Sequence, residues 1–158
     1  MQTIATNCAA MTAALLLLHP SAGVAAPPSD ACALLTTAQA SAALGGSVGS
    51  GKGLATGLCQ WVQQGKPGDV LLKLDVNLIT PEHFTRLKTV TIGTVTNVGG
   101  LGDAAFYSTF TQGRTTLTTL NVQKGSAAVT IRVSGGAKPA EEYQAKEKAV
   151  AAALLPKL

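Results

Sequence analysis

The chain is short of the side chains that carry most enzyme chemistry. Its 158 residues include only two histidines, His19 and His83, and eight acids. A Ser-His-Asp or Cys-His site would have to be built on one of those imidazoles. His83 stands beside Glu82, with no nucleophile turn such as G-x-S-x-G nearby. The cysteines Cys8, Cys32 and Cys59 are too far apart for a zinc pattern. Aromatic residues make up 4%: Trp61, Tyr107, Tyr143, Phe84, Phe106 and Phe110. The core must therefore rest on Val, Leu and Ile. There is no basic run and no aromatic interleaving, so the clustered footprint of a nucleic-acid binder is missing. Internal repeats are absent, and so is an apolar run of the roughly 20 residues that a membrane-spanning helix needs.

The most telling absence is at the start. Residues 1–26 contain no Lys, Arg, Asp or Glu. An apolar run over 8–18 is broken by His19-Pro20, and small residues follow over 21–26. That order predicts a signal peptide, residues 1–25, cut after Ala25. Cys8 lies at the start of the apolar run and is expected to be lost with it, not lipidated. The exported remainder, 26–158, reads as one domain. Two cysteines then remain, and an even count in an exported chain predicts a Cys32–Cys59 disulfide. The net charge of +4 falls wholly in this remainder and is scattered. It predicts a mildly basic, solvated surface, with weak attraction to anionic envelope polymers.

Local patterns give the fold class. Thr36 and Gln39 form a capping box, Ala40, Ala43 and Leu44 follow at helical spacing, and Gly45 stops the helix. Residues 45–57, rich in Gly and Ser, predict a loop or irregular edge strand. Strands are expected over 58–64 and 70–79. In the second, Val70, Leu72, Leu74, Val76 and Leu78 alternate with Lys73, Asp75 and Asn77. Thr80-Pro81-Glu82 opens a short helix to about Lys88, burying Phe84 and Leu87. Further strands are expected over 90–98, 104–110, 116–123 and 126–134. A last helix covers 139–155, with Tyr143, Val150 and Leu154 facing the sheet. This predicts an α+β domain: an antiparallel sheet of about 5–7 strands packed by N-terminal, middle and C-terminal helices.

Tempting sites mostly dissolve. Residues 46–53, GSVGSGKG, nearly spell a phosphate loop, but Gly53 stands where Ser or Thr must hold magnesium, and no strand-to-helix junction surrounds it. Most carboxylates fall in turns or first helical turns, whereas a glycosidase needs two facing across roughly 5–10 Å. No catalytic residue, metal ligand or cofactor is expected. Trp61, two residues after Cys59, is expected to pack on the disulfide; the alternative is an exposed anchor for a sugar or partner. Gly100, Leu101, Gly102 and Asp103 read as a structural turn, or else as backbone that contacts a ligand.

Four stretches occur in order: Cys32-Ala33-Leu34-Leu35-Thr36, Ala42-Ala43-Leu44-Gly45, Cys59-Gln60-Trp61, and 100–106, GLGDAAF. From Cys32 onward the chain resembles a bacterial group of small secreted proteins and lipoproteins known only as a domain of unknown function. The resemblance implies an envelope or extracellular α+β domain similar to the PsbP-like sandwich, and no activity. Many members carry a lipid-anchoring cysteine; this chain has none in that place.

The expected function is a non-enzymatic binding or accessory domain, exported to the periplasm or beyond. Its partner would be an envelope protein, a glycan or an apolar small molecule, met by the Gly-rich loops and the exposed sheet face. One alternative is a carrier holding an apolar ligand between sheet and helices, lined by Leu72, Leu74, Val129 and Ile131. Another is a small secreted hydrolase or enzyme inhibitor.

Overall fold

A computed structural model describes residues 28–66, 71–136 and 138–158. The expected signal segment and Val70 lie outside the described residues. Seven strands make one antiparallel sheet: β1 Lys52–Ala55, β2 Leu58–Val62, β3 Lys73–Ile79, β4 Thr94–Val98, β5 Ala104–Gln112, β6 Thr115–Lys124 and β7 Ala127–Ser134. Among the described residues three α-helices accompany them: α1 Thr37–Leu44, α2 Pro81–Val90 and α3 Ala140–Leu154. This is the expected α+β architecture.

The strand order is β1-β2-β3-β7-β6-β5-β4. The run β1-β2-β3 and the meander from β4 to β7 therefore meet at the β3–β7 pair. The chain leaves β3 in mid-sheet and re-enters at the far edge, and α2 makes that crossing over β6 and β7. Consequently α2 packs on one face, through Phe84 against Phe106 and Ala128. The helices α1 and α3 cover the other face, where the main core lies.

Local chemistry fixes each helix. Thr36 accepts from the Gln39 N–H at 3.2 Å while the Gln39 side chain accepts from the Thr36 N–H, a reciprocal capping box. Gly45 ends α1 in the left-handed region, φ 76°. The Lys146 ammonium then donates to the Leu44 carbonyl at 2.7 Å, placing a cation at the negative end of α1. Pro81 sits in the first turn of α2, behind the Thr80 cap. The Cys32–Cys59 disulfide ties the 3-10 turn Ala31–Leu34 to β2, with the Cα atoms 5.1 Å apart.

The end of α2 differs from expectation. The β-branched run after Lys88 reads as strand, yet α2 continues to Val90 and β4 starts only at Thr94. Thr89 and Thr91 donate to the carbonyls of Arg86 and Leu87, so their hydroxyls serve the helix end. The Gly/Ser segment takes the edge-strand alternative expected for it: β1 is a short edge strand with an irregular register, and all its residues are exposed.

One buried residue on α3 breaks the apolar pattern. Glu147 has no exposed surface and lies on the stripe formed by Tyr143, Val150, Ala151 and Leu154. Its Oε1 accepts from the Thr118 hydroxyl and the Val133 N–H, both at 3.1 Å. Its Oε2 has no hydrogen-bond partner among the described residues. Burial pushes the carboxyl up to about 7, against the lowering effect of those two donors and Arg132. Burial and the Glu147 charge together raise the Tyr107 phenol, whose hydroxyl donates to the Gln144 carbonyl.

Candidate functional site

Strand alternation divides the sheet sharply. Cys59, Trp61, Leu74, Val76, Leu120, Val122, Val129, Ile131 and Val133 point under α1 and α3 and are buried. Their neighbours point the other way, and beside α2 the middle of that face carries mainly polar side chains.

Register then assembles these polar groups into two ladders across the strands. In one, Gln60 lies opposite Asp75, Asp75 opposite Arg132, and Ser108 opposite Thr119. The Arg132 Nε donates to the Thr119 hydroxyl at 3.3 Å, joining its two halves. In the other, Asn77 lies opposite Thr130, and Thr130 opposite Asn121. The result is a trough of two adjoining hollows. One, of about 310 Å³, is lined by Gln60, Asp75, Asn77, Thr130 and Arg132 with Leu54 and Leu58. The other, of about 290 Å³, shares Asn77, Thr130 and Arg132 and adds Thr119, Asn121 and Ser108. Ile79, with His83, Leu87 and Thr91 from α2 and the turn after it, completes its lining.

Hydrogen bonds hold this lining in place. The Gln60 amide donates to Asp75 at 2.7 Å. The buried Asn121 amide donates to the Ser108 hydroxyl at 3.2 Å and to the Thr119 carbonyl at 3.2 Å. Thr91 and Ser108 hydroxyls meet at 3.4 Å, linking the end of α2 to the strands.

Among the described residues the trough holds none of the side-chain pairings of the common hydrolytic mechanisms. Asp75 is the one carboxylate in its lining, so no facing pair of acids exists there. Among the described residues the His83 ring contacts Arg86 through Nδ1 at 3.3 Å and makes no hydrogen bond or ion pair with an acid or nucleophile. What the trough offers is a fixed array of amides, hydroxyls, one carboxylate and one guanidinium, on a surface open to solvent.

The residues singled out from sequence fare differently. Trp61 is only 1% exposed and packs in the main core with Cys59, so the surface-anchor reading is corrected: the strand parity that buries Cys59 buries Trp61 too. A Cβ at Gly51 would lie within 2.8 Å of the indole and 2.9 Å of the Cys59 Sγ, so the Gly-rich loop lies over that pair. The stretch around Gly100 to Asp103 is a turn in which Gly100 and Gly102 have φ of 77° and 58°. Asp103 donates its N–H to the Gln123 carbonyl and accepts from the Gly125 N–H at 2.6 Å, tying this turn to the β6–β7 hairpin. Leu101 packs against the core. None of the four lines the trough.

Leu72, Leu74, Val129 and Ile131, the expected lining of an apolar cavity, are buried together in the main core. A cleft of about 480 Å³ does exist elsewhere, at the strand ends where Leu78, Ile79, Pro81, Ala127 and Ala128 converge.

The trough residues Thr119, Asn121 and Ser108 were missed by sequence reasoning. Period-2 alternation identifies polar faces strand by strand, but the pairing of β3 with β7 decides which polar residues meet. No family model, curated protein or solved structure matches the chain.

Proposed function

We propose that this protein is an exported, non-enzymatic binding domain of the cell envelope or periplasm, and that the polar trough beside α2 is its binding surface. The observation that carries the reading is the pair of cross-strand ladders, Gln60-Asp75-Arg132-Thr119-Ser108 and Asn77-Thr130-Asn121. A sheet face left uncovered needs only to be polar. Here the polar groups are also pre-ordered by hydrogen bonds and flanked by a helix wall, which lowers the ordering cost of binding. The lining suits a partner rich in hydrogen-bonding groups, a glycan or an extended segment of an envelope protein. Export is supported by the leader pattern of 1–25 and by the disulfide, since such bonds persist in oxidising compartments.

The test is an NMR titration of the isotope-labelled protein with fractionated soluble glycans and proteins of its host envelope. The side-chain amides of Gln60, Asn77 and Asn121 should shift with the active fraction, and Arg132→Ala should abolish the shifts. Shifts confined to other parts of the molecule would refute the assignment.

A second reading rests on the 480 Å³ cleft, whose Leu, Ile, Pro and Ala lining would suit a small apolar ligand. It predicts perturbation at Leu78 and Ala128 methyls, not at the trough amides.

A further inference from the structure

Four of the five large hydrophobic residues that stand exposed among the described residues gather at one end of the molecule. They are Ile92 (80% exposed), Val90 (59%), Leu117 (42%) and Phe110 (38%); the fifth, Leu54, is on β1. Phe110 and Leu117 are cross-strand partners on the face that carries α2. Thr91 touches Ser108, the residue two before Phe110 on the same strand, so the end of α2 arrives beside that pair. Gly93 has φ 120°, and a Cβ there would lie 2.2 Å from the Thr109 carbonyl oxygen. Only glycine lets the turn press this closely on β5, and that turn holds Ile92 outward.

The surroundings of this patch are of one sign. Arg86 lies one helical turn before Val90, on the same side of α2. Lys88 extends over the Phe106 ring, 5.4 Å from its centre. Arg114 sits in the β5–β6 turn, three residues before Leu117. The described carboxylates stand elsewhere: Glu82 in the first turn of α2, two turns before Val90, Asp75 in the trough, Asp103 in the turn tied to Gly125, Asp30 before the 3-10 turn, and Glu141, Glu142 and Glu147 on α3 across the sheet. Apolar side chains held out from rigid elements, ringed by cations, match the boundary between anionic headgroups and acyl chains.

We propose that this end of the molecule docks on an anionic lipid surface through Val90, Ile92, Phe110 and Leu117, with Arg86, Lys88 and Arg114 on the headgroups. The inference does not rest on the trough reading, although Thr91 and Ser108, which bring the end of α2 to the patch, also line the trough.

The test is co-sedimentation of the protein, as recovered from its host, with vesicles of phosphatidylglycerol and phosphatidylcholine in equal parts or of phosphatidylcholine alone. Binding should favour the anionic vesicles and weaken in high salt. Ile92→Asp should cut the partition at least tenfold, at a site too exposed to affect folding. A variant with Arg86, Lys88 and Arg114 all changed to Gln should lose the anionic preference, each cation accounting for about fivefold. Equal binding to both vesicles, no binding, or binding unchanged in either variant overturns the proposal. So does a dimer in sedimentation velocity that Ile92→Asp dissociates, because the patch would then be a self-interface.

Discussion

Glu147 should make the fold more stable in mild acid than at neutral pH, the reverse of the usual behaviour of a carboxylate. Its pKa rises from 4.5 to about 7 on folding because burial penalises the charge. The folded state therefore binds a proton that the unfolded chain has released. That contribution is complete below about pH 4.5 and is lost as pH rises to about 7, above which the curve levels off. A shift of this size corresponds to about 3 kcal/mol, or a fall in Tm on the order of 10 °C. Glu82 has the opposite sign, because its backbone N–H and then the Thr80 hydroxyl hold its pKa below 4.5. It therefore acts only at lower pH and leaves the window clear. Urea denaturation between pH 4.5 and 8 measures the slope. Glu147→Gln keeps an acceptor for Thr118 and Val133 and removes the titration, so its stability should be nearly flat across the same window. A wild-type protein whose stability is level or rises from pH 4.5 to 7, or a Gln variant with the wild-type slope, would refute the reasoning.

Two other predictions concern the frame. Replacing Cys32 or Cys59 with Ser opens a loop whose ends are 27 residues apart and should cost about 3.5 kcal/mol in the chain-entropy model; equal melting with and without reductant would show that the bridge carries no such weight. Gly102→Ala forces a Cβ to 2.3 Å from the Gln123 carbonyl oxygen at φ 58° and should destabilise by at least about 1 kcal/mol. Gly99→Ala, with open space and no positive φ, should be neutral or slightly stabilising, and equal melting temperatures for the two variants would contradict this account of the turn.

Much of the frame is legible because its signals are local. The Thr36/Gln39 box and Gly45 delimit α1 without any tertiary information. Alternation in β3 and β7 assigns the face beneath α1 and α3, though it misses Ala128, buried on the other face under α2, and the cysteine count gives the disulfide. What fails to show is whatever depends on distant neighbours. The sequence places Asp75 and Asn77 on a polar face, and Thr130 with Arg132 on another. Only the non-sequential pairing of β3 with β7 brings these into one trough. The end of α2 misleads because β-branched residues favour strands, while the threonine hydroxyls there bond back to the helix. Glu147 carries a visible signal, the four-residue step from Tyr143 and the three-residue step to Val150, but its charge argues for solvent. The Thr118 hydroxyl and Val133 N–H that receive it come from two strands far away in sequence.

The central claim is that the polar sheet face binds the physiological partner. Native mass spectrometry tests it most directly, on wild-type protein and an Asn77→Ala/Arg132→Ala variant, both recovered from the host envelope. The account predicts a bound mass, or a cross-linked partner, on the wild type that is missing from a variant of unchanged melting temperature. The same bound species on both proteins would place the binding surface elsewhere and contradict it.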